Sequence, residues 1–147
     1  MNDEIVDIVQ DQPFRYTYSA IHDPIAKVEP GQRVRIHCVD CFENMLVRED
    51  QRFSDVHEYP YLNPQTGPIF VNGAEEGDTL LVHIDEIEIT RDWAVTGLVP
   101  KFGLLTPTTV TEMITDAIPE VVHKLPIRDE RVWFGELSRQ LSPFMGT

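Results

Sequence analysis

Lysine is scarce in this 147-residue chain: only Lys27, Lys101 and Lys124 stand beside nine arginines. Basic residues total 12 against 25 acids, a formal net charge of -13. A field of that sign repels phosphate backbones and argues against a nucleic-acid partner. It fits a neutral or cationic substrate, or a salt-rich cytoplasm in which the charge is screened. With so few lysines, no Schiff-base lysine stands out. No run approaches the roughly 20 apolar residues of a membrane helix. The opening MNDEIVDIVQ has neither the basic nor the apolar part of a signal peptide, so a cytoplasmic location is expected. Also absent are G-x-S-x-G, a P-loop, a Rossmann glycine run, H-E-x-x-H, internal repeats and low-complexity tracts. Serine-nucleophile and nucleotide chemistry therefore have no support.

Cysteine is nearly absent too. Cys38 and Cys41 form a single C-x-x-C. A redox pair usually heads a helix, where amide ends lower the thiol pKa, but this one ends the strand-like run RVRIHCVDC. Zinc wants four ligands, and no second C-x-x-C exists. Ordinary thiols are the plain reading; a thiol lining a pocket and a metal or redox pair are the alternatives.

What is present reads as one folded β-rich domain over residues 1–147. Hydrophobic residues make up 41% and charged residues 25%. The expected class is mainly β, a sandwich or barrel-like domain with short helical segments. Residues 63–80, NPQTGPIFVNGAEEGDTL, carry the densest punctuation. Asn, Gly and Pro fix the approach to a short strand, Ile-Phe-Val, and two turns follow it, at Asn72-Gly73 and Glu76-Gly77-Asp78. Residues 14–18 alternate as FRYTY, a strand placing Phe14, Tyr16 and Tyr18 on one face. Residues 25–28 form a short strand with Val28 inward, and Glu29-Pro30-Gly31 turns the chain into a second strand. These two make a hairpin or a corner. Residues 79–90, TLLVHIDEIEIT, predict a long strand with a change of inward parity between Ile84 and Ile87. Residues 94–107 read as an apolar loop, residues 108–118 as helix-like, and residues 121–125 and 132–137 as strands around a turn. The uncharged end, LSPFMGT, implies that the protein continues in further sequence or in a partner.

Candidate chemistry gathers at residues 40–44, where a strand breaks into polar residues. Asp40, Cys41, Glu43 and Asn44 offer a carboxylate beside an amide, able to hold a polar substrate, orient water or bind a metal. The competing reading is Asx turns to the backbone. His57, among aromatics in DVHEYPY, is a possible base or ligand. His22 reads as a turn residue, His83 and His123 as surface or interface histidines, and Asp78 as turn chemistry.

The runs VEPGQRVRIHCVDCFENML, NPQTGPIFVNGAEEGDTLLVHIDEI and KLPIRDERVWFGELSRQLSPFMGT, in this order, resemble the N-terminal half of the acetamidase/formamidase family. That resemblance implies a cytoplasmic, β-rich, often oligomeric hydrolase releasing ammonia from small amides such as formamide and acetamide. It also implies a divalent metal ion, zinc or calcium, bound largely by the half not represented here, with ligands unassigned. It brings Asp40 and its neighbours Cys41, Phe42 and Asn44 toward the active centre; with the residue reading above, the expected catalytic residues are Asp40 and Asn44 and the expected substrate-binding ones Cys41, Glu43 and His57. Relatives usually follow Asp-Cys-Phe with a run ending in Gln, whereas this chain has Glu43-Asn44-Met45, which bears on which amide is used. Family proteins are about twice as long, and a Gly-Gly-Asn-Met-Asp run and later His- and acid-rich segments belong to the other half. The resemblance thus implies one subunit of a split enzyme, or a portion of one, inactive alone and completed by a second chain. The alternative is a non-catalytic β-domain companion that stabilises or regulates a partner hydrolase.

Overall fold

A computed structural model of the protein describes residues 4–56, 60–103 and 106–145. It is mainly β: eight strands and one turn of helix among the described residues. The chain divides into two compact units, Met1–Glu43 with Tyr59–His83, and Asn44–Glu58 with Ile84–Thr147.

The first unit is built from two short parallel pairs. Strand β1 (Val6–Ile8) pairs with β3 (Val34–Ile36), and β2 (Ala26–Val28) pairs with β4 (Ile69–Val71). Ile8 and Val28 are its buried apolar residues, as expected for Val28. The turn at Glu29-Pro30-Gly31 closes with the Gln32 amide donating to Glu29 O. It is a corner rather than a hairpin, since β2 and β3 join different pairs. The expected strand at residues 14–18 reduces to one bridge, Arg15 to Gln65, with Tyr18 79% exposed. Three-residue ladders are too short to hold a fold alone, so loop hydrogen bonds carry much of this unit.

Asp7 on β1 faces the neighbouring strand's basic face. Its Oδ1 lies 2.9 Å from His37 Nε2 and 3.3 Å from Arg35 Nη1. The His37 hydrogen bond, with Arg35 behind it, holds the Asp7 carboxyl below its usual 3.8.

The second unit centres on an antiparallel sheet ordered β5-β6-β7-β8, from β5 (Trp93–Leu98), β6 (Val121–Arg128), β7 (Arg131–Phe134) and β8 (Leu137–Gln140). The β6–β7 turn is the dipeptide Asp129-Glu130, both at positive φ (51° and 55°), the twist that two-residue hairpins require. Leu46, Phe53 and Val122 are buried, and Phe53 opens the single helical turn α1 (Phe53–Val56). Phe53 therefore packs this segment onto the second unit's core. Glu120 accepts hydrogen bonds from the Ser54 amide and hydroxyl, and Glu49 accepts one from the Lys124 amide. Trp93 lies between two cations, Arg91 at 4.0 Å and Lys124 at 4.8 Å, and Arg128 covers Trp133 at 4.5 Å.

Three further sequence expectations fail. Residues 93–98 form an edge strand, not a loop. Gly97 looked like a breaker, but it stands where a Cβ would meet Val121 O at 2.7 Å, so the residue exists for close strand approach. Residues 108–118 are not helical, because Thr108 folds a turn of its own. Its hydroxyl accepts from the Val110 and Thr111 amides at 3.2 and 2.9 Å, a local competitor of helix. Residues 79–90 enter no ladder among the described residues, so their strand-like alternation finds no pairing edge.

Two outcomes follow. Gly97→Ala sets a methyl against a backbone carbonyl and lowers stability by about 1–3 kcal/mol, read as a fall in melting temperature; an unchanged melt refutes the close approach. Asp7→Asn removes a carboxylate whose folded pKa is depressed. Its contribution is present above the unfolded pKa and vanishes as pH falls through the folded one. Variant and parent therefore differ in melting temperature at neutral pH and converge in acid below that range. The difference is small, since all three side chains are solvated.

Candidate functional site

Residues 40–43 form a tight turn at the end of the first unit's Met1–Glu43 segment. The Glu43 amide donates to Asp40 O at 3.0 Å, and the Phe42 amide donates to Asp40 Oδ1 at 2.9 Å. This is the Asx turn that local chemistry offers an aspartate. It uses one carboxylate oxygen, while Oδ2 is shielded from solvent. The backbone then passes through two left-handed residues in succession, Glu43 (φ 54°) and Asn44 (φ 59°). Neither is glycine, and each such residue costs on the order of 1 kcal/mol or more. Strain of this kind persists only where the surroundings over-determine it.

The surroundings do so. Cys41 O accepts from the Asn63 amide at 3.4 Å, and His37 O accepts from Thr66 Oγ1 at 3.1 Å. Gly67 N–H donates to Gln10 Oε1 at 2.8 Å, and the Gln65 amide donates to Arg15 O at 2.7 Å. The punctuated stretch at residues 63–67 thus grips the backbone on both sides of Asp40. Gln12 Nε2 donates to the Glu43 carboxylate.

Asn44 opens the second unit, and its side chain is held there. Arg91 Nη1 donates to Asn44 Oδ1 at 3.0 Å, while the same guanidinium stacks on Trp93. This hydrogen bond fixes the orientation of the Asn44 amide. Arg91 also lines an open groove of about 730 Å³ with Glu88, Asp92, Arg128, Asp129 and Glu130.

Of the residues expected from sequence, Asp40, Cys41 and Glu43 share one turn of the first unit, and Asn44 belongs to the second. His57 lies outside the described residues. Cys38 and Cys41 are exposed thiols, not a disulfide. No group of three His, Cys, Asp or Glu side chains able to hold a metal ion occurs among the described residues. His22 Nε2 lies 3.0 Å from Thr17 Oγ1 beside its turn, and His123 packs its ring edge-on against Phe134 at 5.2 Å, in keeping with their plain readings. Arg91 and Gln12 were missed. Arg91 had a faint signal, since in Arg-x-Trp both side chains fall on one strand face; Gln12 had none.

Comparison with known proteins matches this architecture. The family description "Acetamidase/Formamidase family" fits residues 10–126. A formamidase of Methylophilus methylotrophus is 35% identical over 83 residues, 52% of this chain and 20% of the relative. An acetamidase structure from Yersinia enterocolitica superposes with a TM-score of 0.74 at 29% identity, covering 94% of this chain and 43% of its own. One from Bacillus halodurans, at 23% identity and a TM-score of 0.73 with the same coverage, shares the fold. The chain therefore spans a fifth of the formamidase and under half of either acetamidase. The turn, the stretch that grips it and the matched 117-residue span together make this chain a member of the acetamidase/formamidase family.

Proposed function

We propose that this chain is the N-terminal portion, or one subunit, of a cytoplasmic amidohydrolase that cleaves small aliphatic amides of the formamide and acetamide type. The observation that carries the reading is the strained turn at residues 40–44, clamped by the stretch most distinctive of the family. Water adds to the amide carbon, the C–N bond breaks, and carboxylate and ammonia leave. The reaction needs a polarised water, an acid for the departing nitrogen and donors for the oxyanion. Asp40 holds and orients a polar group near its shielded carboxylate oxygen. Asn44, its amide oriented by Arg91, positions the carbonyl end of the substrate. Cys41, Glu43 and His57 lie against substrate in this reading.

The remaining groups come from sequence beyond these 147 residues, in a second chain resembling the rest of the family fold or in a longer polypeptide, assembled as a homo- or hetero-oligomer. A divalent zinc or calcium ion, when bound, supplies Lewis-acid activation of water or carbonyl. The described residues offer no ligand set for it, so its ligands are assigned to the same missing sequence. The family's Gln position is Met45 here, 37% exposed, which removes a hydrogen-bonding group and favours a less polar acyl side of the substrate.

Asp40→Asn in the assembled enzyme is expected to lower kcat for acetamide or formamide by about a hundredfold or more while leaving the melting temperature near that of the parent. Turnover at the parental rate removes Asp40 from the reaction and favours the companion-subunit reading, in which only assembly depends on this chain.

A further inference from the structure

Residues 79–83 combine two properties that conflict in the chain by itself. Their sequence, Thr-Leu-Leu-Val-His, has three apolar residues in a row, the pattern of a strand covered on both faces. Yet Leu80, Leu81 and Val82 are 65%, 92% and 68% exposed, and none of these three joins a ladder among the described residues. The start of the run is well fixed. After β4 the Glu75 amide donates to Asp78 Oδ2 at 2.9 Å and the Asp78 amide donates to Glu75 O at 3.1 Å, closing the turn that launches it. An exposed segment anchored at its start, apolar at successive positions and in no ladder among the described residues, is suited to receive a strand from elsewhere.

We propose that residues 79–83 are a docking strand, completed by β-pairing with a polypeptide equivalent to the part of the family fold that this chain does not match. The inference rests on the reading above in that the enzyme is completed from outside residues 1–147, and it names where. Two observations choose the occupant. The Yersinia acetamidase carries more than half of its chain beyond the 43% matched here, enough polypeptide to supply further strands. A second copy of this chain would bring another charge of -13 against the first, which opposes self-association.

The test co-expresses the full chain with the part of the Yersinia enterocolitica acetamidase that it does not match. It follows co-purification, amide hydrogen exchange and ammonia release from acetamide and formamide. The two polypeptides are expected to co-purify. The amides of residues 80–82, fast-exchanging in the chain alone, should slow by about tenfold or more in the complex. Leu81→Asp is expected to leave the isolated chain's melt unchanged and to weaken the complex by about tenfold or more. The proposal is overturned by protection of these amides in the chain alone, by failure to form the complex, or by a complex indifferent to Leu81→Asp. Self-association that Leu81→Asp dissolves overturns it as well. A complex protected at residues 80–82 that releases no ammonia keeps the docking strand and rejects the amidase reading. Ammonia release by a complex unprotected there does the reverse.

Discussion

The first unit depends on hydrogen bonds from one loop to the backbone of several others. Residues 63–67 bond to Gln10, Arg15, His37 and Cys41, and Pro68 O accepts from the Ile25 amide. Each such bond contributes only about 1 kcal/mol net, but they replace the long ladders that this unit lacks. Two parallel pairs of three residues would not persist without them. The same bonds hold the strand end at His37 and the turn at Cys41, so the conformation of Asp40 is set by a loop distant in sequence. Fold and candidate chemistry share one set of contacts.

Much of this was legible in the sequence wherever the signal was local. Glu29-Pro30-Gly31, Asn72-Gly73 and Gly77-Asp78 turn as their chemistry dictates, and the strands at Val28 and at Ile69–Val71 lie where β-branched residues cluster. The family was legible as well, because the irregular order of Asn, Pro and Gly at residues 63–68 is itself a structural specification. The turn at residues 40–44 could be located, but its mechanism could not. Nothing in Glu43-Asn44 announces two left-handed residues, and Arg91 reaches Asn44 across 47 positions of chain. Gly97 misled because glycine marks both loops and close strand approach, and only the facing carbonyl separates them. Residues 108–118 misled because the Thr108 hydroxyl, accepting from the Val110 and Thr111 amides, makes an isolated turn where the helix was expected to begin.

The distribution of apolar surface points the same way as the comparisons. Among the described residues, only Ile8, Val28, Leu46, Phe53 and Val122 are buried apolar side chains, while Ile21, Leu81, Val110, Ile114 and Phe144 each stand more than 80% exposed. This exposed apolar surface belongs to a chain that matches under half the length of its structural relatives.

The cation-covered tryptophans have a spectroscopic consequence. Trp93 and Trp133 are the chain's only indoles, and both sit in the sheet of the second unit. The described tyrosines, Tyr16, Tyr18 and Tyr61, fall in the first. Indole emission therefore reports the second unit and phenol absorbance the first. The natural chromophores give the two halves separate voices, and whether they melt together is readable from one unlabelled sample.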